Sequence, residues 1–250
     1  MKTIAKALKV LQHFTPEHEE WGVTELARAT DIHKVIMHRI LRSFAAERFL
    51  VQDSKTRRYR LGDGLFRLVR NNLRNVDVVD VARPHLELLR AETNETVVMT
   101  VRFGLRVVVA EVLESSQIVR VTGALGNQAP IHCSAAGKLF LSLGPDTLLD
   151  EQLVQGLKAY TPRTITTVSG LKKELAQAMK RGWAVDDEES VVGIRSIAAP
   201  VLGGDGGVEA CIAVRVPTAR LPRSGFRRLG ARVAACGNLV SEEMQQLLRV

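Results

Sequence analysis

Cysteine is scarce in this chain, and its scarcity argues against two ways of stabilising a fold. Only Cys133, Cys211 and Cys236 occur among 250 residues, and no two have the C-x-x-C spacing of a zinc knuckle. An odd number without that spacing argues against a disulfide framework and against a structural metal site. We therefore expect a protein of a reducing, cytoplasmic compartment, with no metal and no other cofactor.

Long apolar runs are also missing. No segment approaches the roughly 18 consecutive apolar residues of a membrane-spanning helix. The apolar residues near the N-terminus are interrupted by Lys6, Lys9 and Gln12, so the continuous core of a signal peptide is lacking. The composition, 46% hydrophobic and 25% charged, is typical of a globular chain that can bury a core. We expect no membrane partner.

Complete catalytic motifs are lacking as well. Ser134 and Lys138 are one residue further apart than the S-x-x-K spacing of acyl enzymes. Gly137 and Lys138 lack the remaining residues of a phosphate-binding loop. The acidic residues 186–189 have no pair of histidines nearby, which argues against a metal site. We therefore assign no catalytic residue and expect no enzyme. A small-molecule-processing enzyme with a basic N-terminal module is kept as the alternative function.

Acidic residues are under-represented in the first third of the chain. Residues 1–75 contain 15 Lys and Arg against 8 Asp and Glu, whereas residues 76–250 contain 20 against 19. Such an asymmetry is typical of a domain that binds a polyanion such as DNA. A solubilising basic surface would look the same, and a structural nucleic-acid-binding protein without an effector is a further alternative.

Two amphipathic segments with a short break between them predict a helix-turn-helix. They cover residues 23–30, with Thr24 as N-cap and Leu26 and Ala27 facing inward, and residues 34–49. The break contains Asp31. Apolar residues of the second segment predict a buried stripe of Ile36, Ile40, Leu41 and Phe44. A helix over 3–14 precedes them, with its stripe at Ile4, Ala7, Leu8, Leu11 and Phe14. An ordinary helical hairpin is the alternative.

The polar face of the second helix favours DNA binding. It carries the basic residues Lys34, His38, Arg39 and Arg42. A helix that is buried on one side and basic on the other can lie in a major groove. Two short strands, 49–51 and 59–61, then enclose a turn with Lys55, Arg57 and Arg58. Such a hairpin is the wing of a winged helix-turn-helix, and its contacts with phosphates make binding depend on salt.

The rest of the chain mixes helices and strands. Residues 63–75 predict a connecting helix that packs either on its own chain or against a second subunit. Further helices are predicted over 78–93 (interrupted or begun near Pro84), 134–143, 147–155, 171–182 and 222–248. Strands are predicted over 95–103, 106–114 and 117–123, at the start of 183–190, which continues into an acidic loop, and twice within 194–217, around a glycine-rich turn. Short hairpin links between strands predict an α+β domain on an antiparallel sheet.

The chain resembles the IclR (isocitrate lyase regulator) family of bacterial transcription factors over nearly its whole length. The segments VTELARATDIHKVIMHRILRSF, TRRYRLGDGLFRL, ARPHLELLRAETNETV, APIHCSAAGKLFL, LKKELAQAMKRGWAVDDEESVVGIRSIAAPV and IAVRVPTAR carry the resemblance. It implies a two-domain α+β protein: a winged helix-turn-helix in residues 1–62, a linker helix in 63–76, and a GAF-like α/β effector-binding and oligomerisation domain in 77–250.

The resemblance also implies a mode of action. Family members commonly form dimers or dimers of dimers on (pseudo)palindromic operators in double-stranded DNA, and small organic acids or aromatic metabolites commonly act as effectors. This chain departs from the family where Gly at the turn and a Ser-Thr pair are common, because it has Asp31, Val35 and Ile36. Asp can adopt the tight turn, and Val35 is expected to contact a thymine methyl. The expected DNA-binding residues are Thr24, Lys34, Val35, His38, Arg39, Arg42, Lys55, Arg57 and Arg58.

The resemblance places the effector pocket against one face of the C-terminal sheet. Its expected wall consists of Ile118, Val121, Ala129, Ala135, Ala136, Asp186, Ile194, Ser196, Ala213 and Arg215. The aliphatic members could equally be core residues. Small residues at a helix start leave backbone N–H groups open to an anion, and Lys138 after them can point to solvent. Arg215 can clamp a carboxylate through two hydrogen bonds. The alternative is a salt bridge, for example with Asp186.

Overall fold

The computed structural model describes residues 2–15, 18–62, 64 and 76–247. It divides into two compact units, residues 1–74 and residues 75–250. Apart from positions 64 and 76, the predicted linker helix over 63–76 lies outside the described residues. Within the described part of the chain, no helix is long and apolar enough to cross a membrane.

The first unit has the predicted order of helices and strands. Helices α1 (Lys2–Leu11), α2 (Val23–Thr30) and α3 (Lys34–Ala46) are followed by the antiparallel hairpin of β1 (Leu50–Gln52) and β2 (Tyr59–Leu61). One apolar cluster joins all five elements, and its fully buried members are Val10, Leu26, Met37, Leu41, Leu50 and Tyr59. The unit is therefore a winged helix-turn-helix.

The buried stripes of two helices differ from those predicted. On α3, Met37 is fully buried and Ile36 is 38% exposed, because Met37 continues the spacing of three and four residues through Ile40. On α1, Ile4 and Leu8 are 70% and 56% exposed. Val10 and Phe14 belong to the apolar cluster, and Ala7 and Leu11 pack against it.

The ends of α2 are set by residues on either side of it. Thr24 does not cap the helix as predicted, because the N-cap is Gly22, two residues earlier, and Thr24 lies within the first turn. The carboxylate of Glu25 accepts a hydrogen bond from the Gly22 N–H at 3.2 Å, which satisfies a donor at the helix start. At the other end Asp31 has a φ of 56°, the left-handed turn conformation expected of it.

The second unit is built on a six-stranded antiparallel sheet with strand order β5-β4-β3-β8-β7-β6. The strands are β3 (Thr96–Phe103), β4 (Arg106–Leu113), β5 (Gln128–Pro130), β6 (Ala184–Asp187), β7 (Ile194–Leu202) and β8 (Val208–Pro217). The helices are α4 (Val76–Thr93), α5 (Ala135–Leu143), α6 (Asp146–Gln155), α7 (Val168–Arg181) and α8 (Phe226–Leu247), with a 3-10 turn at Arg223–Gly225.

Helices cover both faces of this sheet. The first face, which includes Val97 and Ile212, packs against α4 and α8. The second face, which includes Val98 and Cys211, packs against α5 and α7. Because side chains alternate along a strand, each central strand contributes residues to both cores. The predicted α+β domain on an antiparallel sheet is confirmed.

Several predicted elements need correction. Residues 117–123 form no strand: their chain is irregular, with Ile118 and Val119 exposed, and β5 takes the position beside β4. The carbonyl of Val121 accepts a hydrogen bond from the Thr96 hydroxyl at 2.6 Å. A side chain therefore supplies the hydrogen bond that a neighbouring strand would otherwise supply. Helix α4 runs through Pro84 without a break. The last helix begins at Phe226 rather than at 222.

Candidate functional site

The exposed face of α3 presents the side chains predicted to bind DNA. Lys34, Val35, His38, Arg39 and Arg42 are all exposed, and they lie on one side of the helix because they recur every three or four residues. Lys34, Arg39 and Arg42 make no ion pair within the described part of the chain. The face is therefore basic, and its charges are free to meet an anion.

The hairpin after α3 has a turn organised by Asp53. Its carboxylate accepts hydrogen bonds from the backbone N–H groups of Thr56 at 2.7 Å and Lys55 at 2.9 Å, which lower the pKa of the acid. Lys55 and Arg57 are exposed. Arg58 differs from them, because its guanidinium pairs with Glu25 of α2 at 2.7 Å.

That ion pair gives Arg58 a structural role within the first unit. The same guanidinium nitrogen, Nη2, also donates to the carbonyl of Glu20 at 3.1 Å. It therefore ties the hairpin to the start of α2. Thr24, on the exposed side of α2, makes no cap and stays a surface residue near this junction.

A cavity of about 290 Å³ lies on the α5 side of the second unit's sheet. Nine of the ten predicted wall residues line it: Val121, Ala129, Ala135, Ala136, Asp186, Ile194, Ser196, Ala213 and Arg215. Ile118 does not, because it lies in the irregular segment with its side chain 97% exposed. The structure thus brings together residues from four strands, one helix and one connecting segment.

The pairing of the strands explains why the cavity exists and why one end of it is polar. Asp186, Ser196 and Arg215 are opposite one another on three neighbouring strands, so they form one row on the same face. In the next row Ala198 lies opposite Ala213. Ala213 lines the cavity, and its short side chain leaves room above the sheet that a longer one would fill.

Arg215 has no partner in the described part of the chain. Its half-buried guanidinium makes neither a hydrogen bond nor an ion pair, and the alternative of a salt bridge with Asp186 is not realised. Burial lowers the pKa of Arg215, although the charge of Asp186 opposes that shift. The cavity therefore contains a cationic group with free donors.

The carboxylate of Asp186, by contrast, accepts several hydrogen bonds. Its Oδ1 accepts hydrogen bonds from the backbone N–H groups of Glu189 at 2.7 Å and Ser190 at 3.2 Å, and its Oδ2 accepts one from the Ser190 hydroxyl. The side chain is buried, and burial raises the pKa of its carboxyl above the usual range despite those bonds. These bonds hold the carboxylate in place at the cavity wall.

The start of α5 is held close to the preceding loop. The Ser134 hydroxyl accepts a hydrogen bond from the Gly137 N–H at 3.2 Å and donates to the Pro130 carbonyl at 2.7 Å. A Cβ atom on Gly137 would lie only 2.1 Å from the Ile131 carbonyl oxygen, so this close approach requires glycine. The approach places the small residue Ala136 at the cavity wall.

Lys138 does not point to solvent. Its side chain is fully buried, pairs with the carboxylate of Glu189 and donates to the Val185 carbonyl at 2.7 Å. The other oxygen of Glu189, Oε2, is buried without a partner, and burial raises the pKa of this acid to about 7. Burial also raises the pKa of the Cys133 thiol to about 12, so it is no thiolate nucleophile at neutral pH.

Sequence reasoning missed part of the cavity wall. The additional residues come from β3, β4, β5, the N-cap of α5 and the segments that follow β4 and β6: Val98, Thr100, Val107, Val109, Thr122, Asn127, Gln128, Ser134, Ser190 and Val191. Strand alternation could have identified Val98 and Thr100 as neighbours on one face. The matching residues of β4 could not be paired with them, because a shift in register interrupts the ladder between Met99 and Thr100.

A winged helix-turn-helix with a free basic face, and a second unit with a partly enclosed polar cavity, define a DNA-binding regulator that responds to a small molecule. Comparison with protein families supports this class. The IclR helix-turn-helix domain matches residues 3–54, and the bacterial transcriptional regulator IclR C-terminal domain matches residues 70–242. The chain belongs to the IclR family of transcriptional regulators, which are not enzymes.

Individual relatives are similar over almost the whole chain. The HTH-type transcriptional repressor AllR of Escherichia coli (strain K12) is 31% identical over 226 residues, covering 90% of this chain and 83% of AllR. The IclR structure from Thermotoga maritima superposes with a TM-score of 0.81 at 25% identity, covering 98% of this chain and 99% of that one.

A third relative carries a ligand. An IclR homologue from Microbacterium hydrocarbonoxydans, complexed with 4-hydroxybenzoate, superposes with a TM-score of 0.82. The superposition covers 98% of this chain and 99% of that one. At 19% identity this likeness concerns the fold.

Proposed function

We propose that the protein binds its operator through the face of α3 and the tip of the hairpin. In this proposal Val35, Arg39 and their neighbours enter the major groove, where Val35 contacts a thymine methyl. Lys55 and Arg57 contact phosphates. The observation that supports this assignment is the set of exposed cations without intramolecular partners.

Two copies would read the operator together. A dimer places two recognition helices on half-sites about one turn of DNA apart, so we propose a homo-oligomer, a dimer or a dimer of dimers, on a (pseudo)palindromic operator. Each predicted domain has its own role: residues 1–62 bind DNA, residues 63–76 link the two domains, and residues 77–250 bind the effector and form the oligomer. The site of action is the cytoplasm.

The effector, we propose, is a small carboxylate held by Arg215. The single observation that carries this proposal is the unpaired guanidinium in a cavity of about 290 Å³. A planar guanidinium matches a carboxylate through two parallel hydrogen bonds. At about 30 Å³ for each water in the liquid, the cavity holds a ligand that displaces roughly ten waters.

Thermal unfolding of the full chain against aliphatic and aromatic carboxylates tests the effector proposal. A ligand at a hundred times its dissociation constant stabilises the folded protein by about 2.7 kcal/mol. Arg215→Ala should abolish the shift, and Arg215→Lys should restore it only in part. Equal shifts for Arg215→Ala and wild type would contradict the carboxylate role.

Salt dependence of operator binding tests the DNA face. Each phosphate contact contributes about one unit to the slope of log affinity against log salt, so Lys55→Ala and Arg57→Ala should each lower the slope by about one. Arg106→Ala, an exposed arginine of the other unit, is the control and should change nothing. Unchanged slopes for both hairpin variants would remove the hairpin from the interface.

A further inference from the structure

The exposed side of the last helix, α8, carries a stripe of residues that is symmetrical about its centre. The opposite side of α8 packs against the sheet and α4. Exposed residues at spacings of three and four form the α8 stripe: Arg228, Ala231, Ala235, Leu239 and Glu242. Arg228 and Glu242 are each seven residues from Ala235, and Ala231 and Leu239 are each four residues from it. The stripe therefore has opposite charges at equal distances from a small central residue.

The two charged residues of the α8 stripe have no partner in the described part of their own chain. Arg228 and Glu242 make neither a hydrogen bond nor an ion pair there. Glu243, the next residue, differs from them because its carboxylate pairs with His85 of α4 at 2.7 Å. The charges of Arg228 and Glu242 are therefore available to a molecule outside this chain.

The order of charges along α8 is also the reverse of what the helix dipole favours. The dipole favours acidic residues in the first turn and basic residues in the last. The first turn of α8 contains Arg227 and Arg228 and no acid, and its last turn contains no base but follows Glu242 and Glu243. Because this order does not stabilise the helix itself, it indicates a partner whose charges are arranged in the opposite direction.

We propose that a second copy of this chain packs against the α8 stripe, with the two α8 helices antiparallel and Ala235 of each copy at the twofold axis. This inference rests on the homo-oligomer of the proposed function and assigns one contact within it. In an antiparallel pair, a residue before the centre lies opposite the residue equally far after it. Arg228 of each copy therefore meets Glu242 of the other, which gives two equivalent ion pairs.

The residues between the charges fit the same arrangement. Ala235 faces its own counterpart across the axis, and its small side chain allows the helices to approach closely. Leu239, 52% exposed, lies opposite the small Ala231 of the second copy, so large and small side chains alternate across the contact. A contact between identical surfaces requires a surface that is complementary to itself, and the α8 stripe meets this requirement.

Charge reversal in the full chain tests this contact. Arg228→Glu places like charges at both ion pairs, and Glu242→Arg does the same with the other sign. Either variant alone should raise the dissociation constant of this association about 10-fold, because two exposed attractive contacts become repulsive. Sedimentation equilibrium at low salt, where exposed charges are least screened, measures each association step. Both substitutions lie on the exposed side of α8 and so leave its packing against the sheet unchanged.

An equimolar mixture of the two variants is the most specific measurement. In a mixed pair, the two acidic positions of one variant face the two basic positions of the other, so both contacts are attractive again. The mixture should therefore associate about as tightly as wild type. Arg227→Glu is the matched control: it makes the same charge change one residue away, about 80° around the helix from Ala235, and should leave the dissociation constant unchanged.

The outcomes separate this inference from the proposed function. A wild type that stays monomeric at every concentration would overturn both the α8 contact and the proposed homo-oligomer. An oligomeric wild type whose association neither reversal weakens would keep the homo-oligomer and overturn the α8 contact. A loss of association that the mixture does not recover, or an equal loss in Arg227→Glu, would overturn the antiparallel pairing of Arg228 with Glu242.

Discussion

Replacing Arg215 by methionine should make the ligand-free protein more stable. Methionine keeps an unbranched stem but has no charge, and no hydrogen bond is lost because the guanidinium has no partner among the described residues. Burying an unpaired charge costs free energy, and burial lowers the pKa of Arg215 accordingly, but the guanidinium nitrogens are not among the buried atoms that lack a partner, so the cost is small, about 1 kcal/mol. The expected gain is therefore about 1 kcal/mol in the free energy of unfolding.

A bound carboxylate should reverse this order. Wild type gains about 2.7 kcal/mol at a hundred times its dissociation constant. The variant loses a charge-assisted contact worth about 1.5–3 kcal/mol, so its affinity falls roughly 10- to 100-fold and it gains little from the same ligand concentration. If both effects are observed, Arg215 lowers the stability of the ligand-free protein and raises its affinity for the ligand, as residues of functional sites often do.

Urea unfolding at pH 7, with and without a carboxylate that binds wild type, measures both effects. Arg195→Met is the matched control on the neighbouring strand. Arg195 pairs with Asp187 at 2.6 Å and donates to the Leu221 carbonyl at 2.7 Å, so its loss should cost about 1.5–3 kcal/mol. If Arg215→Met proves as destabilising as Arg195→Met, Arg215 has a structural partner and the carboxylate argument is wrong.

Three other variants test separate parts of the structure. Gly137→Ala should destabilise the protein by more than the roughly 1 kcal/mol that helix propensity would add, because its Cβ would meet the Ile131 carbonyl; a rise in urea midpoint would refute this. Arg58→Ala should lower the thermal midpoint of the protein through its lost pair with Glu25, whereas Arg57→Ala should not. Burial raises the pKa of Glu189 from 4.5 to about 7, so its contribution to stability is full below pH 4.5 and is lost as pH rises through 7. Glu189→Gln should therefore flatten stability against pH between about 5 and 7, and an unchanged slope would contradict the assignment.

Local patterns were sufficient wherever a short segment contains the whole signal. The break at Asp31 between two amphipathic segments predicted the helix-turn-helix, and the left-handed φ of Asp31 agrees. Alternation along β8 placed Ala213 and Arg215 on one face, and both line the cavity. Local sequence patterns gave wrong predictions where a residue far along the chain determines the local structure. Residues 117–123 have the composition of a strand, yet side chains such as Thr96 bind their backbone instead.

The amino-acid sequence by itself determined most of the order of elements and the basic face of α3, because periodicity and charge are properties of neighbouring residues. Nine members of the cavity wall came instead from the resemblance to the IclR family. Only the tertiary structure decided which charges are free. In the sequence nothing distinguishes Lys138, Arg58 and Arg215 as paired or unpaired. A carboxylate distant along the chain pairs with each of the first two, and no described residue pairs with the third. Whether a charge is paired depends on which strands and helices the fold brings together, and a local pattern does not contain that information.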